Sequence, residues 1–210
     1  MIIDSHCHLD YSNLYDQLDD VIRRAEYNKV KYLLTICTTL KSLESCINSD
    51  LANNYGNLCR RVFSFIKNNC KNKVSKTKNI SSSDKRLIEQ TKVLTKDLKN
   101  EMNNQNLNNY IKSVINISFL TNKYINDEEP WKLKKNNVEQ MNNILHIALE
   151  QIAKISILLS PIIPNASAKV LNALNINTEL KNFSFLDGKN IITDEIKIKE
   201  LDILFKKITK

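Results

Sequence analysis

The stretch Ser49-Asp50-Leu51-Ala52-Asn53-Asn54-Tyr55-Gly56-Asn57-Leu58-Cys59-Arg60-Arg61-Val62-Phe63-Ser64-Phe65-Ile66 decides the fold. Leu51, Tyr55, Leu58, Val62 and Phe65 recur at alternating steps of four and three, the pattern of an amphipathic helix with one buried face. Asp50, Asn54, Asn57 and Arg61 form a polar stripe beside it. Asn57 and Arg61 are one helical turn apart, so both project from the same side. An amide and a guanidinium so placed can hydrogen-bond the edge and phosphate of an unstacked nucleobase.

Helical patterns continue to about residue 174. Asn68–Ser83 is polar and reads as a loop. A second helix is expected from Asp84 to about Asn100. A third is expected from about Asn106 to Tyr124, with Leu107, Ile111, Ile115 and Phe119 as its buried stripe. Asp127-Glu128-Glu129-Pro130-Trp131 breaks the chain, because a proline disfavours helix at the residue before it. The three carboxylates would repel phosphate, and they are expected at a helix N-terminus, where the helix dipole favours them. Val138, Met141, Leu145, Ala148, Ile152, Ile155 and Leu159 form a sustained seam for a fourth helix, ended by Pro161 and Pro164. A short helix near Ala166–Leu174 follows. The tail after Asn175 has apolar residues, among them Phe183, Phe185, Leu186 and the stretch Ile198–Ile208, but no readable period. There is no internal repeat.

Composition narrows the classes. Two glycines and three prolines are too few for a sandwich or barrel of short strands with tight turns. With Gly56 and Gly188 alone, no glycine-rich phosphate loop can be written. Five cysteines without C-x-x-C spacing indicate neither a disulfide framework nor a zinc ribbon, and read as reduced thiols. The N-terminus MIIDSHCHLD has no basic region and long apolar run, so no signal peptide is expected. The run Ile155–Ile163 is too short to span a bilayer. A cytoplasmic location with no membrane partner is the resulting expectation. Residues 1–46 hold five basic and seven acidic side chains, net −2, so the chain's net +8 leaves about +10 for the remainder. That balance is compatible with a polyanionic partner.

Residues 1–46 read as strand, helix, strand. Met1–Ile3 leads into Asp4-Ser5-His6-Cys7-His8; a helix is expected over Tyr15–Asn28, with Leu18, Val21, Ile22 and Ala25 on one face, and a buried strand over Tyr32–Cys37. His6 and His8 would face the same side of a strand, where two imidazoles can hold a divalent cation. The stretch MIIDSHCHLDY, with the helix and the LLTICT strand, resembles the start of TatD-type metal-dependent hydrolases, barrel enzymes usually described as deoxyribonucleases. The resemblance implies His6 and His8 as metal ligands. It covers about 45 residues, whereas a full barrel takes about 250. The family's further ligands are lacking: His146 is the only other histidine and lies beside the fourth-helix seam. An incomplete site that takes a divalent metal adventitiously is expected, with no resident cofactor.

The remainder resembles the anticodon-binding domain of methionyl-tRNA synthetases. Leu51-Ala52-Asn53 with Gly56-Asn57-Leu58 and Arg61 matches that family's first-helix pattern. Asn122-x-Tyr124-Ile125 with Pro130-Trp131-x-Leu133 matches its "N-x-YI … PW-x-L" segment, Leu159-x-Pro161-x-x-Pro164 its "L-x-P-x-x-P" turn, and Leu171-x-x-Leu174 continues it. The resemblance implies a mainly α fold, the helical-bundle anticodon-binding domain of class I aminoacyl-tRNA synthetases, over residues 47–210, preceded by a short βαβ fragment over 1–46. It implies binding of the anticodon arm of methionine tRNA, with Asn57, Arg61, Pro130 and Trp131 reading the CAU anticodon. Asn57 and Arg61 would hydrogen-bond bases, Trp131 would stack, and Pro130 would fix its approach. Lys73-Val74-Ser75-Lys76-Thr77 looks like the family's catalytic lysine loop but falls after the first bundle helix, where that loop precedes it, and reads as a polar loop. No aminoacylation by this chain alone is expected, and a separate synthetase chain carrying the catalytic domain is the implied partner. The alternatives are a metal-dependent hydrolase and a rearranged fragment without selected function.

Overall fold

A computed structural model describes residues 2–7, 17–35, 47–77, 79–177 and 190–207. The chain divides into two compact units, residues 1–49 with 207–210, and residues 50–206. In the first unit, β1 (Ile2–Cys7) and β2 (Val30–Thr35) pair in parallel, joined through α1 (Leu18–Tyr27). The parallel register is irregular, with shifts between Ile2 and Ile3 and between Asp4 and Cys7. Helix α1 has no buried residue, and Ile22 is exposed, so the apolar face expected there is only partly covered. Asp19 and Asp20 in its first turn suit the positive end of the helix dipole.

The second unit is a helical bundle. The elements in order are a π-helix, π1 (Ile47–Gly56), of which residues 50–56 belong to this unit, α2 (Asn57–Asn69), β3 (Lys73–Ser75), α3 (Ser82–Thr95), α4 (Leu98–Asn103), α5 (Leu107–Glu128), α6 (Pro130–Leu133), α7 (Val138–Leu159), α8 (Pro164–Ala173) and β4 (Glu195–Lys197). Helix α7 is the axis, packing against α2, α5, α6, α8 and β3. It is buried almost all round from Met141 to Leu159, and a helix apolar on every side belongs in a core. Asn137 caps it by accepting from the Gln140 amide at 3.0 Å. Pro164 opens α8, where its missing N–H costs nothing.

The first bundle helix is two helices. Residues 47–56 take i→i+5 pairing, which turns the chain less per residue than an α-helix, and α pairing begins at Asn57. The stripe pattern read with one α period therefore shifts. Tyr55, Leu58, Cys59, Val62, Phe63 and Ile66 are the buried positions, and Asn54, assigned to the polar stripe, is buried as well.

Helix α5 presents a different face from the expected one. Leu107 and Phe119 are exposed, whereas Tyr110, Val114, Ile115, Ile117, Ser118, Thr121, Tyr124 and Ile125 are buried. The polar residues on this face are satisfied internally, as where the Thr121 hydroxyl donates to the Ile117 carbonyl at 2.8 Å. Asp84 starts α3 with a capping box to Ser81. Its buried carboxylate also accepts from the Tyr124 hydroxyl at 2.6 Å and the Asn143 amide at 2.7 Å.

The expected loop 68–83 contains β3, which pairs antiparallel with β4 of the tail. Lys73 of the lysine-serine-lysine segment meets Glu195 across that pair at 2.8 Å. Beyond it the tail runs along the bundle without regular structure, with Ile198 buried and Leu201, Leu204 and Phe205 packed against the core. Among the described residues, no helix is long and apolar enough to cross a membrane.

Candidate nucleic-acid interface

Asn57 is the first α-helical residue after π1, and Arg61 follows one turn later. Both are half-buried. Arg61 is held from across the bundle by two asparagines of α5. One of its terminal nitrogens donates to Asn126 Oδ1 at 2.7 Å, the other to Asn122 Oδ1 at 3.5 Å. The Asn122 amide nitrogen in turn donates to buried Asn54 Oδ1 at 3.0 Å, an oxygen that also accepts from the Ser118 hydroxyl at 3.0 Å. Asn54 therefore anchors the site from beneath instead of facing a ligand.

The link between α5 and α6 sets Trp131. Glu129 takes a left-handed backbone conformation, φ 45° and ψ 57°, and serves both as the end of α5 and the start of α6. Pro130 follows in the first turn, buried, with its fixed φ suited to that place. Trp131 is turned outward and is 42% exposed. Its ring lies 5.8 Å from the Arg61 guanidinium carbon, a cation–π arrangement. The expected seat of the carboxylates at a helix N-terminus is corrected here. Asp127 and Glu128 close the C-terminal turn of α5, and only Glu129 stands at a helix start, where it caps nothing. Glu129 pairs with Lys132 at 2.6 Å, which offsets one negative charge near the tryptophan.

Arg61, Pro130 and Trp131 share one cavity of about 290 Å³ with Val62, Phe65 and Asn68. Its walls are apolar, with the guanidinium at one edge. Asn57 is not part of that wall; it sits one turn before Arg61 on the same helix side. The structure thus brings three of the four expected residues around one opening, with the fourth on the adjoining turn. Asn122 and Asn126, which orient Arg61, were given no role by the sequence. Asn122 does fall within the matched "N-x-YI" segment, which is the signal that could have pointed to it.

A second polar cluster lies along α7. The buried carboxylate of Glu150 accepts from the backbone amides of Ile191 and Ile192 at 3.0 Å and has Lys154 at 3.5 Å. His146, buried, donates from Nε2 to the Thr193 carbonyl at 2.9 Å, which assigns the proton to that nitrogen. It is an anchor for the tail. The expectation for His8 lies outside the described residues, as does that for the His6 side chain, and Phe183, Phe185 and Leu186 lie outside them too. Among the described residues, no group of three or more His, Cys, Asp or Glu could hold a metal ion. Cys59 and Cys70 are free thiols, and burial pushes Cys59 well above the ordinary thiol range.

The model of the anticodon binding domain of methionyl tRNA ligase matches residues 74–210. The chain belongs to that family. It is similar to the methionine–tRNA ligase of Rhizobium meliloti, 31% identical over 140 residues, which cover 67% of this chain and 27% of the relative. It is similar also to that of Rickettsia typhi, 32% identical over 176 residues, covering 81% and 34%. The chain thus spans roughly a quarter to a third of the curated relatives it matches. Among solved structures, the apo form of Mycobacterium tuberculosis methionyl-tRNA synthetase superimposes with a TM-score of 0.77 at 20% identity, covering 86% of this chain and 36% of that one. That likeness places the fold in the methionyl-tRNA ligase anticodon-binding class. A second model, TatD related DNase, matches residues 3–111, so the chain carries sequence of both families. The two matches overlap over 74–111, where the chain forms β3, α3, α4 and the start of α5, elements of the bundle unit.

Proposed function

We propose that the bundle binds the anticodon arm of methionine tRNA. The observation that carries this is the Arg61 guanidinium held against a half-exposed Trp131 at the mouth of an apolar cavity. A flat aromatic face beside fixed hydrogen-bond donors is what an unstacked loop base requires. In this reading a base enters the cavity and stacks on Trp131. Arg61, with donors left over after Asn122 and Asn126, hydrogen-bonds its edge or phosphate. Asn57 meets the adjoining base, and buried Pro130 fixes the angle of the indole. Lys134 and Lys135, which form no ion pair among the described residues, add salt-sensitive attraction for the phosphates.

We propose that the chain acts in the cytoplasm, together with a synthetase catalytic chain, as the arm that reads the anticodon. The test is binding of a stem-loop RNA with the CAU anticodon, compared with one whose loop is scrambled. Preference for CAU that disappears in Trp131→Ala supports the reading, and equal binding of both RNAs contradicts it.

The TatD related match supports a second, separate reading for the N-terminal segment, a remnant that binds a divalent metal through His6 and His8 without a resident cofactor. Metal-stimulated phosphodiesterase activity lost in His6→Ala and His8→Ala would make it a hydrolase, and metal binding without activity would make it a remnant only.

A further inference from the structure

The tail 190–207 takes no part in the RNA site described above, yet it is tied to the bundle along its length. Besides the contacts to Glu150 and His146, the Lys199 amide donates to the Ala173 carbonyl at 2.8 Å and the Ile198 amide to the Asn72 carbonyl at 2.8 Å. The tail delivers Phe205 to the end of π1. There its ring tilts against Tyr55, with centroids 6.3 Å apart. A Cβ added to Gly56 would come 3.0 Å from Phe205 Cδ2 and 2.9 Å from the Leu51 carbonyl oxygen. The ring fills space that only a glycine leaves.

Gly56 is the last π-helical residue and Asn57 the first α-helical one. The place where pairing changes from i→i+5 to i→i+4 sets the rotational phase of everything after it. Moving that junction by one residue would replace a step of about 80° with one of about 100°, turning α2 by roughly 20° about its axis and carrying the Arg61 guanidinium about 2 Å relative to Trp131. Tyr55 is fixed from the other side, its hydroxyl 2.7 Å from Ser156 Oγ of α7. Phe205 and Ser156 therefore grip the last two π-helical residues between the tail and the central helix.

We propose that Phe205 is a positioning residue for anticodon recognition: seated on Gly56, it pins the π-to-α junction and with it the direction in which Asn57 and Arg61 face. The proposal rests on the function proposed above.

The test uses the full chain, CAU stem-loop RNA and the emission of Trp131, the sole tryptophan. Phe205→Ala should weaken CAU binding by about tenfold and change the Trp131 emission before RNA is added, and Phe205→Leu should recover most of the affinity. In an Asn57→Ala/Arg61→Ala background the same Phe205→Ala change should cost less than about twofold, because both residues it positions are gone. Gly56→Ala, whose Cβ displaces the ring, should reproduce the loss and serves if Phe205→Ala folds poorly. Unchanged affinity in both variants overturns the proposal. So does an equal loss with and without the Asn57 and Arg61 side chains, or an equal loss for CAU and scrambled loops. If Asn57→Ala and Trp131→Ala leave CAU binding intact, the function itself fails and the proposal with it. If those two weaken binding and the Phe205 and Gly56 variants do not, only the role of Phe205 is lost.

Discussion

The guanidinium carbon of Arg61 lies 5.8 Å from the ring centroid of Trp131. These residues are 70 positions apart in the chain, and they meet because α2 and the α5–α6 corner pack on the same side of α7. Arg61 reaches the indole already oriented by Asn122 and Asn126, so under the proposed function it would lose less freedom on meeting a base than a solvated arginine.

Removing the indole should act on binding alone. Trp131→Ala is expected to weaken CAU stem-loop binding by about 1–3 kcal/mol, the range for one stacked base. Because the ring is 42% exposed, the thermal midpoint should move little. Fluorescence anisotropy of a labelled stem-loop measures the first quantity and circular dichroism the second.

Asn126 is exposed, and its side-chain oxygen accepts from Arg61. Asn126→Ala should therefore lower CAU affinity while changing stability by no more than about 0.5 kcal/mol. Asn122→Ala should lower both, because Asn122 also donates to the buried Asn54. Paired binding and urea-unfolding measurements separate the two cases.

Asp84 secures α3 to α5 and α7 through the Ser81 amide, the Tyr124 hydroxyl and the Asn143 amide. Asp84→Ala leaves two buried donors without their acceptor and removes the carboxylate half of the capping box, while the Ser81 hydroxyl still accepts from the backbone amide of residue 84. A loss of about 3 kcal/mol or more is expected, at about 1–3 kcal/mol per unsatisfied group. Chemical denaturation measures it, and a loss below about 1 kcal/mol would contradict the network.

The alkaline limit follows from buried tyrosines. Burial pushes the Tyr110 hydroxyl up to about 12 and raises Tyr55 and Tyr124 well above the ordinary value. The unfolded chain releases these protons from about pH 10 upward while the folded chain retains them. The contribution is therefore whole below about pH 10 and declines as pH rises toward the folded values. Thermal midpoints should be level from pH 7 to about 9 and fall above about 10. Tyr110→Phe should lessen the fall.

The central helix was legible because its signals agree: a sustained seam from Met141 to Leu159 and prolines that stop it. The proposed contact residues Asn57, Arg61, Pro130 and Trp131 were picked out through short matched patterns, which fix residue identity but not neighbours. Other features depend on contacts that no local period carries. The α5 stripe misled because Leu107 and Phe119 keep the helical spacing, while the true inner face includes Ser118 and Thr121, whose hydroxyls bond within the bundle. Asn54 read as surface because an α period was assumed through a π-helix. The pairing of β3 with β4 joins segments some 120 residues apart, and the grip of Glu150 and His146 on the tail spans more than 40, so neither leaves a trace in its own neighbourhood.

The most direct measurement is a titration of Trp131 emission with stem-loop RNAs on the full chain. The account predicts saturable quenching by the CAU loop, at least about tenfold tighter than by a loop of scrambled anticodon, and loss of that preference in Arg61→Ala. Quenching of equal strength by both loops, or none by either, would contradict it.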